Sequence, residues 1–219
     1  MQFSSLLFST PLTLLVALCD LVLLAVALRW APWRLMLAVP MRQHALFATL
    51  GVLGLFWSFR FQVESGLHFH PFLVCTVTLI FGWSLALLVG LLAGLLVAML
   101  GNADLQALPW DWLFTVVVPA TLTFVLMRWL YRLRLRNLFF YILGLGFFGT
   151  IVTTFLTCCM GFGLLWLTQD TRFVDLLLDR GMVVIPMVYA EGFLNGLLVS
   201  AITVFIPELV KTFDEDYFR

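Results

Sequence analysis

Seven apolar stretches, separated by short polar joints, follow one another along the 219-residue chain. They cover approximately residues 6–28, 44–61, 71–81, 84–100, 113–131, 138–167 and 182–206. A helix needs about 20 apolar residues to cross a bilayer, and most of these stretches approach that length. The pattern predicts an all-α membrane protein, with a single polytopic domain over 1–219 folded as a compact bundle of about seven transmembrane helices.

The apolar run from 71 to 100 reads either as one helix of about 45 Å, at about 1.5 Å per residue, or as two short ones. The arginines decide between these readings. Three lie between 29 and 42, and four lie between 128 and 136 without an acid among them. Both joints belong in the cytoplasm by the positive-inside rule, which holds only if the run turns back near Gly82. One helix, 71–81, is therefore expected to be short or broken.

Composition supports the membrane class and excludes others. The chain is 63% hydrophobic and 11% charged, with a mean hydropathy of +1.09, whereas soluble domains are about half apolar and about a quarter charged. The net charge of 0 supplies no basic surface that would bind nucleic acid. The long apolar stretches make the lipid bilayer the expected partner. All four cysteines lie in or beside apolar runs, which argues against a disulfide framework.

The segment 64–71 gathers polar side chains immediately before the short helix. Glu64, Ser65, His68 and His70 lie within it, and Pro71 favours an extended backbone at His70. Residues two apart on an extended chain project to the same side, so both imidazoles can face one ion at the outer mouth of the bundle. Imidazole suits nickel, cobalt, copper or zinc, and Glu64 is the nearest further ligand. Alternatively, both histidines lie at the membrane surface and bind nothing.

Glu191 lies well inside the last apolar stretch, with Asn195 one turn later. An intramembrane carboxylate is costly unless it is paired or faces a polar cavity. Two interpretations stay open: Glu191 lines a substrate cavity together with Asn195, Arg60 and Ser65, or it holds helices together with Arg60 or a threonine as partner. Asp20 in the first stretch presents the same choice.

The sequence contains no Ser-His-Asp order, Walker A motif, HExxH motif or GxGxxG motif. Hydrolytic chemistry and nucleotide binding therefore have no support, and the chain is not expected to be an enzyme. A process driven by ATP would need separate subunits.

Two segments resemble the membrane substrate-binding components of energy-coupling factor ABC transporters for cobalt and nickel, the CbiM and NikM type. The first runs from Gly66 through His70-Pro71 to Gly82, with His70 at the family's metal-binding histidine. The second contains Ile185-Pro186, then Glu191-Gly192, and later Pro207-Glu208. The chain departs from the family in its first residues, Met1-Gln2 in place of Met-His, and in Trp110-Asp111-Trp112 in place of Gly-Ala-Asn.

The resemblance implies a substrate-capturing component of an importer in a bacterial inner membrane. It would transport nickel or cobalt without a permanently bound cofactor, and would work with a coupling transmembrane protein and cytoplasmic ATPase subunits. In the family the N-terminal amine, a backbone amide and the imidazole of the second residue complete the metal site, so the departure at Gln2 implies weaker binding. A small vitamin-like organic solute and a non-transporting assembly or regulatory role are the alternative functions.

The distribution of arginine also predicts orientation: the N-terminus outside, and both the 128–136 joint and the C-terminus in the cytoplasm. Reporter fusions at Asn137 and at Arg219 should both give a cytoplasmic signal in intact cells. A periplasmic signal at Asn137 would show that the run 71–100 crosses only once.

Overall fold

Each of the seven apolar stretches contains helix in the computed structural model, which describes residues 1–64, 66–134, 137–169, 174–175, 178–179 and 181–210. The α-helices are α1 (Thr10–Trp30), α2 (Trp33–Ala38), α3 (Pro40–Ser58), α4 (Val74–Phe81), α5 (Trp83–Met99), α6 (Leu108–Trp112), α7 (Val118–Arg132), α8 (Thr150–Thr168) and α9 (Val184–Phe205). π-helical segments, Leu113–Val117 and Phe140–Gly149, join α6 to α7 and precede α8. Short 3₁₀ turns lie at Ser5–Leu7, Leu105–Ala107, Gly181–Val183 and Pro207–Leu209.

Among the described residues, four continuous helical segments are long and apolar enough to cross a membrane: Thr10–Trp30, Leu105–Arg132, Phe140–Thr168 and Val184–Phe205. The apolar helix α5 is shorter, at 17 residues. Large apolar side chains cover the outside of the bundle, and only 11% of the most apolar window of α1 is buried. Such a surface suits lipid rather than water, which confirms the predicted all-α membrane protein.

Helix α4 is the short helix that the charge distribution predicts. It has eight residues, all of them buried, and spans only about 12 Å at about 1.5 Å per residue. The chain turns at Gly82, whose φ of 84° lies in the region that side chains disfavour. Helix α4 packs against α5, α7 and α9, so protein rather than lipid surrounds it.

A three-stranded antiparallel sheet joins the first residues of the chain to the segment that precedes α4. Its strands are β1 (Gln2–Phe3), β2 (Phe61–Glu64) and β3 (Leu67–Phe69), in the order β1-β3-β2. Gln2 pairs with His68, and Phe3 pairs with Leu67. The sequence predicts the extended backbone before Pro71, but the pairing with the first residues is a finding of the structure. The sheet carries Met1 into the bundle, where it is fully buried.

Gly90 on α5 lies against Val116, and a Cβ at this position would be 2.5 Å from Val116 Cγ1. Gly51 on α3 has no atom within 4 Å of the same added carbon. The two glycines therefore form a matched pair, one at a close helix contact and one at an open surface.

We expect Gly90→Ala to lower the free energy of unfolding by about 1–3 kcal/mol, because the stiff, branched Val116 side chain must move. Gly51→Ala should be neutral, or stabilising by up to about 1 kcal/mol through helix propensity. Thermal unfolding of both variants in detergent checks this. Equal midpoints for the two variants would show that α5 does not need its close approach at Gly90.

Candidate metal site

The amino group of Met1 lies beside the imidazole of His70 inside the protein. The distance from the amine nitrogen to His70 Nε2 is 3.2 Å. The amine also donates to Thr115 Oγ1 at 3.0 Å, while the Thr115 hydroxyl donates to the carbonyl of Met1 at 2.7 Å. His70, which follows β3, and Thr115, between α6 and α7, therefore hold the amine in one place.

The tautomer of His70 follows from its other nitrogen. Nδ1 lies 3.1 Å from the carbonyl oxygen of Pro71. A carbonyl only accepts hydrogen bonds, so Nδ1 carries the proton and Nε2 presents its lone pair to the Met1 amine. The imidazole is also fixed by packing, since the ring centroids of His70 and Trp57 are 5.3 Å apart. His70 is oriented as a metal-binding histidine is, with its second nitrogen engaged in a hydrogen bond.

Burial keeps both nitrogens neutral. It lowers the pKa of the Met1 amine from 8.0 to about 5, and the negative charge of Asp111 only partly offsets this effect. Burial also holds the pKa of His70 well below its ordinary value, and the neighbouring amine lowers it further. Both groups are therefore uncharged near pH 7, with a lone pair available to a Lewis acid.

A cavity of about 10 Å³ adjoins these groups. Its polar lining comes from Gln2, His70, Asp111 and Thr115, and Trp57 and Trp112 are among its apolar walls. A volume of this size holds about one water molecule, and hence one small ion. Gly90 and Gly94, one turn apart on α5, also line this cavity. Because neither residue has a side chain, this face of α5 leaves space for the cavity.

The predicted ligands have different positions. His70 lines the cavity and is only 1% exposed, so its side chain lies inside the protein and not at the surface. His68 is half-buried on β3 and is not a lining residue of this cavity. Burial, followed by the charge of Arg60, lowers the pKa of His68. Glu64 ends β2, while its side chain and the whole of Ser65 lie outside the described part of the chain.

In the part of the chain that the structure describes, no group of three His, Cys, Asp or Glu side chains is placed to hold a metal ion. The Met1 amine is a donor of a different kind. It contacts His70, which lines the cavity, and Asp111 and Thr115 are further polar groups there. Of these groups, sequence analysis identified His70 from its own segment and the N-terminal amine only through the family resemblance. The departure from the resembled family at Asp111 was the available signal for that residue.

Glu191 holds the beginning of α4 rather than the cavity. Its carboxylate accepts the backbone N–H of Phe72 at 2.9 Å, the N–H of Leu73 at 2.6 Å, and Asn195 Nδ2 at 2.8 Å. Asn195 Oδ1 in turn accepts the N–H and hydroxyl of Thr76 at 2.9 and 2.7 Å. Glu191 and Asn195 therefore tie α9 to the first turn of α4.

Arg60 is not the partner of Glu191 among the described residues. Its guanidinium lies 3.5 Å from Gln2 Oε1, next to strand β1. The interpretation of Glu191 as a residue that holds helices together is supported, but its partners are backbone amides and Asn195. A buried helix start leaves N–H groups without partners, and a carboxylate is the acceptor that satisfies two of them at once.

Fold and site together define a polytopic helical membrane protein with an ion-sized internal cavity beside two neutral nitrogen donors. Residues 3–209 match the CbiM family, described as the cobalt uptake substrate-specific transmembrane region, and the chain belongs to this family. It is accordingly a membrane transport component and not an enzyme, as the sequence predicts. No individual curated protein matches the chain at a significant level.

The contacts of Glu191 predict a graded response to substitution. Glu191→Ala leaves the buried N–H groups of Phe72 and Leu73 without an acceptor, while Asn195 Nδ2 keeps its bond to the carbonyl of residue 191. Each lost acceptor costs about 1–3 kcal/mol, so we expect a loss of at least about 2 kcal/mol. Glu191→Gln keeps one oxygen but turns an NH₂ group towards an N–H donor, and should lie between Ala and wild type.

Thermal unfolding in detergent measures the series, with the exposed Glu208 as the control position. Glu208→Ala should leave the midpoint unchanged. A Glu191→Gln midpoint equal to that of Glu191→Ala would contradict the assignment of these hydrogen bonds.

Proposed function

We propose that this chain is the substrate-binding membrane component of an energy-coupling factor importer for cobalt or nickel. The observation that carries the proposal is the Met1 amine at 3.2 Å from the Nε2 atom of His70, a residue that lines a cavity of about 10 Å³. Membership of a family described by cobalt uptake supports the choice of cargo.

The spacing of the two nitrogens suits a shared metal ion. Ligand nitrogens lie about 2.0–2.1 Å from a first-row metal such as zinc. Two nitrogens at that distance are about 2.9–3.3 Å apart when the ligand–metal–ligand angle is about 90–109°, and the observed distance of 3.2 Å lies in this range. An ion therefore replaces the amine–imidazole hydrogen bond with little movement of either group.

The neutral state of both donors supports the same conclusion. A protonated amine or imidazolium has no lone pair to give, and metal binding must then displace a proton. Here burial has already removed that cost, because the pKa of the amine is about 5 and that of His70 is well below its usual value. Amine and imidazole nitrogens are also the donors that nickel and cobalt accept readily.

The cavity size favours an ion over the organic alternative. A vitamin-like solute needs a pocket of about 300–1,000 Å³, whereas the cavity beside His70 has about 10 Å³. The energy for transport must come from separate ATPase and coupling subunits, since the sequence contains no Walker A motif. The predicted orientation, with the N-terminus outside, would put the cavity on the side from which an inner-membrane importer collects its substrate.

The test is metal binding by protein stripped of metal and titrated separately with Co²⁺ and Ni²⁺. We expect His70→Ala to abolish detectable binding and His68→Ala to weaken it less, because only His70 lines the cavity. His44→Ala is the matched control, since His44 is an exposed histidine on α3. Its titration should equal that of wild type.

Because His70 is buried, His70→Ala must be checked for folding by gel filtration and helical circular dichroism. A second change avoids this difficulty by leaving every side chain intact. Two extra residues placed before Met1 convert its amine to an amide, which should also remove binding. No heat from either metal in the wild type would end the metal proposal and favour an organic solute or a non-transport role.

A further inference from the structure

We infer that Asp111 is the charge-bearing ligand of this cavity, so that a divalent cation is held by the Met1 amine, the His70 imidazole and the Asp111 carboxylate. The inference rests on the proposed function and names the ligand set of the same site. It concerns a residue of this chain at which the resembled family has a neutral side chain.

The position of Asp111 is the first argument. It lies on α6, is 8% exposed, and lines the same cavity as His70 and Thr115. Its Oδ1 accepts the backbone N–H of Phe3 at 2.7 Å, which places the carboxylate against strand β1, two residues from Met1. A carboxylate has about four lone-pair sites, so this single hydrogen bond leaves it able to bind a cation.

Charge is the second argument. Neither an amine nor an imidazole supplies a negative charge, and the lining residues Gln2 and Thr115 offer only uncharged oxygens. A dication in a buried site without a counter-charge carries a large desolvation penalty. Among the described residues that line the cavity, Asp111 is the acid. Deprotonated when a cation binds, its carboxylate is the group that supplies the counter-charge.

A purely structural role is the competing explanation, because the hydrogen bond to Phe3 also anchors β1. Asn separates the two roles: its side-chain oxygen still accepts the Phe3 N–H, but it carries no charge. Asp104 offers a matched control in the same region. Its Oδ2 accepts the backbone N–H of Ser5 at 2.9 Å, so it anchors the same N-terminal segment, yet it does not line the cavity.

The experiment compares wild type, Asp111→Asn and Asp104→Asn, stripped of metal and titrated with Co²⁺ alone and with Ni²⁺ alone. Loss of a charged ligand should weaken binding at least 10-fold, in the range of about 10–100-fold typical for groups that support a metal. Asp104→Asn should bind within threefold of wild type. Thermal midpoints without metal should be similar for the three proteins, and the rise in midpoint on adding Co²⁺ should be lost only in Asp111→Asn.

Asp111→Asn that binds within threefold of wild type overturns this inference and leaves the proposed function intact. A wild type that binds neither metal overturns both. If Asp111→Asn does not fold, infrared difference spectra of the wild type with and without Co²⁺ decide: a shift in the carboxylate stretching bands supports ligation, and unchanged carboxylate bands refute it.

Discussion

The carboxylate of Glu191 fixes where helix α4 begins, and the geometry of the site depends on that point. A helix that starts inside an apolar bundle exposes backbone N–H groups that neither lipid nor water can satisfy. Glu191 accepts those of Phe72 and Leu73, and Asn195 extends the contact to Thr76. Leu73 is held at a φ of 56°, a conformation that persists only where surrounding contacts enforce it.

His70 precedes this anchored turn by two residues, so its position depends on the same hydrogen bonds. Trp57 contributes from α3, because its indole N–H donates to the carbonyl of Phe72 at 3.1 Å while its ring lies beside His70. The imidazole is thus held from one side by the chain that Glu191 fixes and from the other by an aromatic wall. An imidazole held in this way loses little conformational freedom when it binds an ion.

Sequence patterns predicted the helices and one side of the site. The break at Gly82 followed from counting arginines, the extended backbone at His70 followed from Pro71, and the position of Asn195 one turn after Glu191 followed from their spacing of four. Each of these is a local signal. The Met1 amine is 69 positions away from His70, and the two-residue strand that carries it is too short to show any periodicity. Pairing of this kind depends on tertiary contacts, which propensity and hydropathy do not encode.

Sequence analysis did not identify Asp111 as a site residue for a different reason. A position between two tryptophans is typical of an interfacial belt, and only the fold shows that Asp111 lies inside the protein. Its inward position also bears on the departure at Gln2. The amine and backbone of Met1 are donors whatever side chain follows them, so replacing a histidine at the second position removes one imidazole but leaves the cavity and its nearest nitrogen in place. The remaining donors are neutral, so a dication bound there would need a counter-charge. The Asp111 carboxylate on α6 lies against β1, where it accepts the backbone N–H of Phe3. With the ligand set inferred for Asp111, Gln2 in place of histidine would change the donors from nitrogen alone to a set that includes oxygen, and the site would be kept.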